Sequence, residues 1–414
     1  TNGTESAQNL IMQYNIYDDS NQILSHHKHL IHDIDFTPDG EKYITASYDT
    51  TVKCWDIDTG LCVGTMQGFN SWIRSIAFSP DGQKCVLGSY DNSLKIWDVE
   101  KERCCKTLLG HEHWVRDIEF LNSGEKFISV SYDQTLRIWE GKEPYQCQNV
   151  FKRHTKGISG VSCSKNGEYC VTASYDGNVI LWNFNEQNVD KNYKNLKGHY
   201  GRVRDVAYSP NANICVSASY DNTLIVWNCS WQFEGNRIIK VLYDHNDYVR
   251  CVTFTSQGNY CISGSYDKTF IVWDTEKWIK KYQSERFPDW IRCLECSPDG
   301  KTLLVGCDNG IIYVWNIENN IKIGELRGHN NWIGKIKYFP NGKNCISCSD
   351  DNTFKIWKID IDKNQHKCIN TYKILPYLDL VDCDFRNIIM ESDSIEEGFK
   401  TILYGNGALI KIRE

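Results

Sequence analysis

The chain has 414 residues, of which 41% are hydrophobic and 24% charged, and its formal net charge is −7. This composition is that of an ordinary globular protein with ample apolar material for a core, and the negative balance disfavours a general nucleic-acid-binding surface. No apolar run approaches the roughly 18 residues that a membrane span needs, and residues 1–8 lack the apolar segment of a signal peptide, so we expect neither feature.

In chain order, the first predicted strand covers residues 10–17, and a strand pattern then repeats with a nearly constant period. Eight later strands each end in a tryptophan, and successive tryptophans are 42–46 residues apart. They are Trp55, Trp97, Trp139, Trp182, Trp227, Trp273, Trp315 and Trp357. A fixed period of this size predicts small sheets that bury their faces by stacking on one another. Because no Pro/Gly/Ser-rich linker interrupts the pattern, we expect one continuous domain.

Residues 110–140 show the unit most completely, with predicted strands at 114–120, 126–131 and 135–139 and an outer strand represented by 103–109. The first turn of other units contains Pro-Asp-Gly or Pro-Asn-Gly, which favours hairpins. These turns begin at Pro38, Pro80, Pro298 and Pro340. Four antiparallel strands per unit, repeated radially, close an all-β chain without long exposed edges. The predicted units cover approximately residues 25–66, 67–108, 109–150, 151–196, 197–242, 243–284, 285–326, 327–373 and 374–414.

The ninth unit is degenerate. Its predicted strands cover residues 378–385, 400–404 and 408–412, and Ile412 takes the position of the tryptophan. We therefore expect a closed ring of nine sheets, in which residues 10–25 supply a strand that completes the last sheet. The alternative is eight sheets with a C-terminal appendage, since eight units carry the tryptophan.

The 19 cysteines indicate a reduced protein, because their number is odd and most lie within predicted strands. Cys293 with Cys296 and Cys345 with Cys348 have metal-site spacing, but residues three apart on a strand point to opposite faces. The histidines at positions 26, 27, 29 and 32 have no acidic or cysteine set nearby that would complete a metal site. We expect no cofactor or metal, and an intracellular location, cytoplasmic or nuclear.

Six of the units also carry, with variations, a polar motif: Gly-His, about 20 residues to Ser-x-Asp, then six more to Trp-Asp. With this motif the chain resembles the WD-repeat family over nearly its whole length. The resemblance implies a single closed β-propeller of four-stranded antiparallel blades, in which His, Ser, Asp and Trp of each blade form a buried hydrogen-bonded tetrad. The complete sets are His27/Ser47/Asp49/Trp55, His111/Ser131/Asp133/Trp139, His154/Ser174/Asp176/Trp182, His199/Ser219/Asp221/Trp227, His245/Ser265/Asp267/Trp273 and His329/Ser349/Asp351/Trp357.

Two units depart from the motif. The second has Phe69 in place of histidine, and the seventh has Phe287, Cys307 and Asn309 with only Trp315 kept. We expect apolar packing alone to hold these two blades and leave them looser. Ser, His and Asp together also invite a hydrolase interpretation, but six identical sets without a Gly-x-Ser-x-Gly elbow indicate scaffolding. We therefore expect no catalytic residues and no enzyme activity.

The resemblance also implies that three positions per unit line the top face around a central channel, where partners of such proteins usually dock. The predicted contact residues are Trp72, Arg74, Tyr90, Trp114, Arg116, Tyr132, Arg202, Arg204, Tyr220, Tyr248, Arg250, Tyr266, Trp290, Arg292 and Trp332. Folding does not require Trp, Tyr or Arg at such positions, and these residue types dominate binding hot spots. The alternative is that arginine stacks on the aromatic rings of adjacent blades and only stiffens the rim.

These residues predict a protein-interaction scaffold within a multiprotein complex. Guanidinium groups at the channel suit carboxylate or phosphate, so the expected partner is an acidic or phosphorylated peptide segment. The alternative is single-stranded nucleic acid, RNA in particular, with bases stacked on the aromatic rings and phosphates on arginine. The repeats do not identify the partner, because a fold does not imply a function.

Overall fold

The computed structural model of the protein describes residues 27, 31–66, 70–99, 101, 103–121, 124–184, 191–339, 342–351, 353–360, 365–373, 389–391 and 411–413. The Cα packing divides the chain into two compact units. One is His29–Lys373, and the other combines the terminal residues 1–28 and 374–414. In the terminal unit, Ile389–Glu391 and Lys411–Arg413 pair as parallel strands.

The unit His29–Lys373 contains eight four-stranded sheets among its described residues, here called blades 1 to 8. Blades 1 and 2 consist of β1 Ile31–Phe36, β2 Lys42–Ser47, β3 Val52–Asp56, β4 Cys62–Met66, β5 Ile73–Phe78, β6 Lys84–Ser89, β7 Leu94–Asp98 and β8 Arg103–Leu108. Blades 3 and 4 consist of β9 Val115–Phe120, β10 Lys126–Ser131, β11 Thr135–Glu140, β12 Cys147–Lys152, β13 Ile158–Cys163, β14 Tyr169–Ser174, β15 Val179–Asn183 and β16 Tyr193–Leu196.

The remaining blades follow in the same order. Blades 5 and 6 consist of β17 Val203–Tyr208, β18 Ile214–Ser219, β19 Leu224–Asn228, β20 Ile238–Leu242, β21 Val249–Phe254, β22 Tyr260–Ser265, β23 Phe270–Asp274 and β24 Ile279–Gln283. Blades 7 and 8 consist of β25 Ile291–Cys296, β26 Thr302–Cys307, β27 Ile312–Asn316, β28 Ile321–Leu326, β29 Ile333–Tyr338, β30 Asn344–Ser349, β31 Thr353–Asp360 and β32 Gln365–Lys373. The terminal strands Ile389–Glu391 and Lys411–Arg413 are β33 and β34.

Every blade is an antiparallel meander built from consecutive strands, with the first strand innermost. Each inner strand packs beside the inner strand of the next blade, and β29 of blade 8 packs beside β1 of blade 1. The ring thus closes after eight blades. At this closure Phe36 packs on Phe339 with ring centroids 4.6 Å apart, and Lys335 forms an ion pair with Asp33.

The prediction of nine blades is therefore wrong, and the alternative of eight is correct. Blade 8 already holds four strands from one stretch of chain, and blade 1 packs directly against it. In the range of the expected ninth unit, the described strands β33 and β34 pair in parallel, which a blade meander does not allow. No described strand completes blade 8 from the N-terminus, and the predicted closing segment, residues 10–25, lies outside the described residues.

The core lies between the blades because each sheet buries both faces against its neighbours. Between blades 2 and 3, for example, Leu94 and Ile96 pack with Val115 and Ile118, all at most 5% exposed. Gly88 allows this approach, since a Cβ there would lie 2.7 Å from a methyl group of Val115. A fully buried valine or isoleucine contributes about 1.5–3 kcal/mol to folding. The hydrophobic strand pattern is therefore the main source of stability in the ring.

In blades 3, 4, 5, 6 and 8 the tetrads form, but with a different hydroxyl from the one predicted. In blade 3, Nδ1 of His111 lies 2.7 Å from Asp133 and Nε2 lies 2.7 Å from Oγ of Ser129. The indole of Trp139 donates to the same Ser129 oxygen at 2.8 Å. Ser131 instead donates to the carbonyl of His113 and accepts from the amide of Asp133.

The assignment of Ser131 to the tetrad is therefore wrong by two residues, since Ser129 takes that place. Two residues apart, both hydroxyls point to the same face of β10, but only the earlier one reaches the indole. Tetrad hydroxyls at the corrected position are Thr45, Ser129, Thr172, Ser217, Ser263 and Ser347, each accepting from its tryptophan. Their predicted counterparts Ser47, Ser174, Ser219, Ser265 and Ser349 each accept an amide hydrogen bond in the following turn.

Blades 2 and 7 have no such hydroxyl, because Leu87 and Val305 occupy that position. In blade 2, the indole nitrogen of Trp97 consequently has no acceptor among the described residues. In blade 7, Phe287 packs on Tyr313 with ring centroids 4.7 Å apart, and the indole of Trp315 donates to Asn320 instead. Apolar contacts replace the polar chain in blade 7.

Candidate functional site

Each inner strand begins at the same face of the ring, here called the top face. A β-bulge interrupts the pairing of every inner strand with its neighbour, and the residue that the register skips is the second of the strand. Such a bulge re-aims the side chain of the extra residue. The skipped positions are His32, Arg74, Arg116, Ser159, Arg204, Arg250, Arg292 and Gly334. All five predicted channel arginines thus sit on bulges, and we call the region that they surround the mouth.

A second repeated contact brings the two aromatic positions of a blade together. The residue that precedes the tetrad aspartate position donates its amide to the carbonyl that precedes the inner strand, as Tyr90 does to Trp72 at 2.8 Å. The same bond joins Tyr132 to Trp114, and Tyr266 to Tyr248, at 3.0 Å. The turn of the second strand is therefore tied to the start of the first.

The tyrosines also stack on the next blade. Tyr48 lies flat on Trp72, with ring centroids 4.2 Å apart and planes 6° apart. The pairs Tyr90–Trp114, Tyr220–Tyr248 and Tyr266–Trp290 repeat this geometry at 4.5, 4.6 and 4.8 Å. Each pair joins two blades, so part of the predicted aromatic surface works as a tie between neighbours. Four of these residues are still 39–44% exposed, namely Trp72, Trp114, Tyr248 and Trp290.

Blades 4 and 5 lack an aromatic residue at the start of the inner strand, so their contacts with the neighbouring blades differ. Gly157 occupies the position of the tryptophan, and Tyr132 fills the space, because a Cβ on Gly157 would lie 2.8 Å from its ring. Tyr132 then packs edge-on against Tyr175 at 5.5 Å. The guanidinium of Arg202 lies 5.6 Å from the ring of Tyr175. The aromatic contacts therefore continue around the ring without a break at the glycine.

The five channel arginines have unequal surroundings. Arg292 forms an ion pair with Asp308 and lies 3.8 Å from the ring centroid of Trp332. Arg116 donates to the phenol of Tyr90 at 2.7 Å. Burial and the charge of Arg116 lower the pKa of Arg74 to about 10. A blade 7 aspartate thus neutralises one arginine, whereas the others share one positive region.

Carboxylates and lysines lie one and three residues further along the inner strands. Asp33, Asp117 and Asp205 accept backbone amides of the next blade at 2.8, 3.1 and 3.0 Å. Burial raises the pKa of Asp117 and of Asp205. Deeper still, burial and the charge of Asp117 raise the pKa of Glu119 to about 8.

Sequence reasoning missed this layer, which also contains Glu295, Lys335 and Lys337. The signal was the repeated Asp at one position of β1, β9 and β17. The bulge concealed it, because the strand alternation expected from sequence changes phase at the skipped residue. The layer gives the channel a positive mouth above mixed charges.

All fifteen predicted contact residues lie in the described part of the chain, and contacts connect them along one face. The connected series runs through Tyr48, Trp72, Tyr90, Trp114, Tyr132, Tyr175 and Arg202, and again through Tyr220, Tyr248, Tyr266, Arg292 and Trp332. Arg204 and Arg250 bridge the two series, since both guanidiniums act electrostatically on the phenol of Tyr175 and both neighbour Tyr220. Which of these residues touch a partner stays a prediction.

The described residues contain no group of three or more His, Cys, Asp or Glu side chains placed to hold a metal ion. Within the same residues, no helix has the length and apolarity to cross a membrane.

Eight segments of the chain match the sequence profile of the family described as "WD domain, G-beta repeat". They are residues 19–56, 60–98, 102–140, 145–183, 190–228, 236–274, 279–316 and 320–358. The nuclear distribution protein nudF 1 of Talaromyces marneffei (strain ATCC 18224 / CBS 334.59 / QM 7333) is 38% identical over 48 residues, 12% of this chain. The aligned part spans 10% of that relative's length.

Among solved structures, the crystal structure of the computationally designed Ika8 protein is similar, with a TM-score of 0.70 and 23% sequence identity. The match covers 81% of this chain and 98% of the designed one. At this identity the likeness concerns the fold alone.

Proposed function

The chain belongs to the WD-repeat family, and from this premise we propose that its top face binds an acidic or phosphorylated segment of a protein partner. Family membership supports the coarser statement, a protein-interaction scaffold. The charge at the mouth supports the finer one. A partner of this type fits a protein that acts within a multiprotein complex.

The observation that carries the proposal is the combination of exposed rings and a cluster of arginines on one face. Trp72, Trp114, Tyr248 and Trp290 keep 39–44% of their surface exposed although each also stacks on a neighbouring blade. Stiffening of the rim would be served equally well by fully covered rings. Large aromatic surfaces beside guanidiniums are the usual composition of a binding hot spot.

The test is capture of partners from a lysate of the native cell with the triple variant Arg116→Ala/Arg204→Ala/Arg250→Ala. We expect the wild type to retain a partner that the triple variant loses. The matched control is Arg153→Ala/Arg286→Ala/Arg327→Ala, which removes the same charge from exposed positions outside the mouth. Unchanged capture by the mouth variant would refute the proposal.

Single-stranded RNA is the second candidate, since bases can stack on the same exposed rings while phosphates meet arginine. Binding of RNA would weaken steeply with salt, because counterions are released from the backbone. A titration of a single-stranded RNA and of an acidic peptide at two salt concentrations separates the candidates. We favour the peptide because the chain carries a net charge of −7.

We also propose an intracellular location, cytoplasmic or nuclear. None of the 18 cysteines in the described residues forms a disulfide, and more than half of them are buried. Free thiols in such number are typical of a reducing compartment.

A further inference from the structure

We propose that the mouth contains a phosphate-binding site whose principal ligands are Arg204 and Arg250, with Arg74 and Arg116 completing it from the opposite side. The inference rests on the proposed function and specifies which part of the top face takes the anion. The ligand class is a phosphate monoester or a small polyphosphate, carried by a side chain or free in solution.

Arg204 is the first observation. The residue is only 9% exposed, yet among the described residues its side chain makes no hydrogen bond or ion pair. Its nitrogens are not among the buried polar atoms that lack a hydrogen-bond partner, so the guanidinium reaches the solvent of the mouth. Its electrostatic neighbours are the phenols of Tyr175, Tyr220 and Tyr266 and the carboxylate of Asp205. A charge that is largely withdrawn from water gains from an anionic ligand at such a place.

Arg237 provides a comparison within the same blade, because it is also 9% exposed. Its guanidinium donates to the carbonyls of Asn228, Ser230, Trp231 and Phe233 at 2.5–3.3 Å. Arg237 is thus held by four protein carbonyls at the same degree of burial. Arg204 departs from that pattern, which points to a ligand rather than to a structural role.

Arg250 is the second observation. It lies on the bulge of the next blade and, like Arg204, its side chain has no hydrogen bond or ion pair within the described residues. Burial and the charge of Arg204 lower its pKa. The charge of Arg204 also acts on Arg74, whose pKa Arg116 lowers as well. Four like charges thus oppose one another across the mouth.

The nearby carboxylates are committed elsewhere. Asp205 follows Arg204 directly, but its two oxygens accept the amides of Val206 and Val252, each at 3.0 Å. Asp117, which follows Arg116, likewise accepts the amides of Ile118 and Val161 at 3.0 and 3.1 Å. These two carboxylates therefore stabilise the backbone of adjacent blades, and neither forms an ion pair with the arginine beside it in the chain.

The arrangement favours phosphate over a carboxylate. Two adjacent guanidiniums offer forked donors that match several oxygens at once, and the fork geometry suits phosphate bidentately. A phosphate monoester carries close to two negative charges at neutral pH, whereas a carboxylate carries one. A dianion is therefore the better match for a mouth with four guanidiniums.

The experiment measures binding by calorimetry with two probes, inorganic pyrophosphate and the blocked tripeptide acetyl-Gly-phosphoserine-Gly-amide, each against its phosphate-free buffer or peptide counterpart. We expect the wild type to bind at least one probe and Arg204→Ala/Arg250→Ala to raise its Kd roughly tenfold or more, since charge-assisted hydrogen bonds are lost. The control Arg153→Ala/Arg327→Ala removes two positive charges outside the mouth and should bind like the wild type. Pyrophosphate alone would identify a free polyphosphate ligand, and the phosphopeptide alone a modified partner.

The site would be overturned if the two double variants had the same Kd for the probe, or if the wild type bound neither probe. Removing the two mutually repelling charges of Arg204 and Arg250 should leave thermal stability unchanged or higher, so misfolding is not expected to obscure the result. A different result would contradict the proposed scaffold function. If lysate capture survives the triple arginine substitution while pyrophosphate binding is lost, the anion site stands and the docking proposal does not.

Discussion

The phenol ring of Tyr90 in blade 2 lies parallel to the indole of Trp114 in blade 3, with ring centroids 4.5 Å apart and planes 7° apart. Trp114 nevertheless stays 39% exposed. A side chain can thus join two blades and still present a surface to a partner. The two interpretations of the rim, binding and stiffening, therefore apply to the same residue and require a measurement that separates them.

Replacing Trp114 by alanine should separate them. We expect a loss of stability of roughly 0.5–1.5 kcal/mol for the stacking, beyond the buried area that is lost, together with loss of partner capture. Urea unfolding and lysate capture measure the two effects. The comparison is Trp278→Ala, which removes a tryptophan buried in the core between blades 5 and 6 and should destabilise the protein without loss of capture. If Trp114→Ala destabilises the protein but captures normally, the ring only stiffens the rim.

Replacing Ser129 by alanine should destabilise blade 3. The indole of Trp139 and Nε2 of His111 would both lose their partner, and an unsatisfied buried polar group costs about 1–3 kcal/mol. Ser256→Ala, at an exposed turn, is the control and should change the free energy of unfolding by less than about 0.5 kcal/mol. Equal unfolding curves for both variants would contradict the corrected tetrad.

Replacing Lys335 by methionine should weaken the closure of the ring. Its partner Asp33 is 3% exposed at the side chain, but Lys335 is 38% exposed. The expected cost is therefore about 1–3 kcal/mol, below the value for a fully buried pair. Lys142→Met removes an ion pair with Glu125 that is exposed on both sides, and should cost at most about 1 kcal/mol. A cost for Lys335→Met no greater than that of the control would show that the ion pair does not hold the junction.

Replacing Glu119 by glutamine should stabilise the protein increasingly as the pH rises from 4.5 to about 8. Burial and Asp117 raise the pKa of Glu119 from 4.5 to about 8. The folded carboxyl therefore keeps its proton to a higher pH than the unfolded one, so stability falls as the pH rises from 4.5 and the loss is complete above 8. Urea midpoints of wild type and variant should agree near the lower pH, and the variant should exceed the wild type above the higher one. The control is the exposed Glu125→Gln, with no such divergence, and a constant difference across this range would contradict the raised pKa.

The period of the tryptophans predicted the blades well, because each tryptophan lies in the third strand of its sheet. The predicted strands 126–131 and 135–139 agree within one residue with β10 and β11. Local hydrophobic alternation and turn chemistry determine these elements, so a single sequence contains the information. The number of blades could not be predicted from local sequence, because it depends on where the ring closes. Closure involves contacts such as that between Lys335 and Asp33, two residues about 300 positions apart in the chain.

Less of the candidate site than of the fold could be predicted from the sequence. Positions such as Arg116 and Arg204 could be proposed from the repeat register, but their bulges and the stacking of tyrosine on the next blade could not. The tetrad serine was misplaced because Ser129 and Ser131 share a strand face and differ only in reach. Distances of this kind are set by the twist and packing of whole blades.

Each blade is made from one unbroken run of chain, so among the described residues no β-sheet is shared between blade 8 and blade 1. Side chains such as Phe36 and Phe339 hold that junction in place of backbone hydrogen bonds. It differs in this way from the seven other junctions, across which the chain itself runs. The junction between blades 8 and 1 is therefore the one junction that the polypeptide does not cross. When force is applied to the two ends of His29–Lys373, we expect this junction to open first.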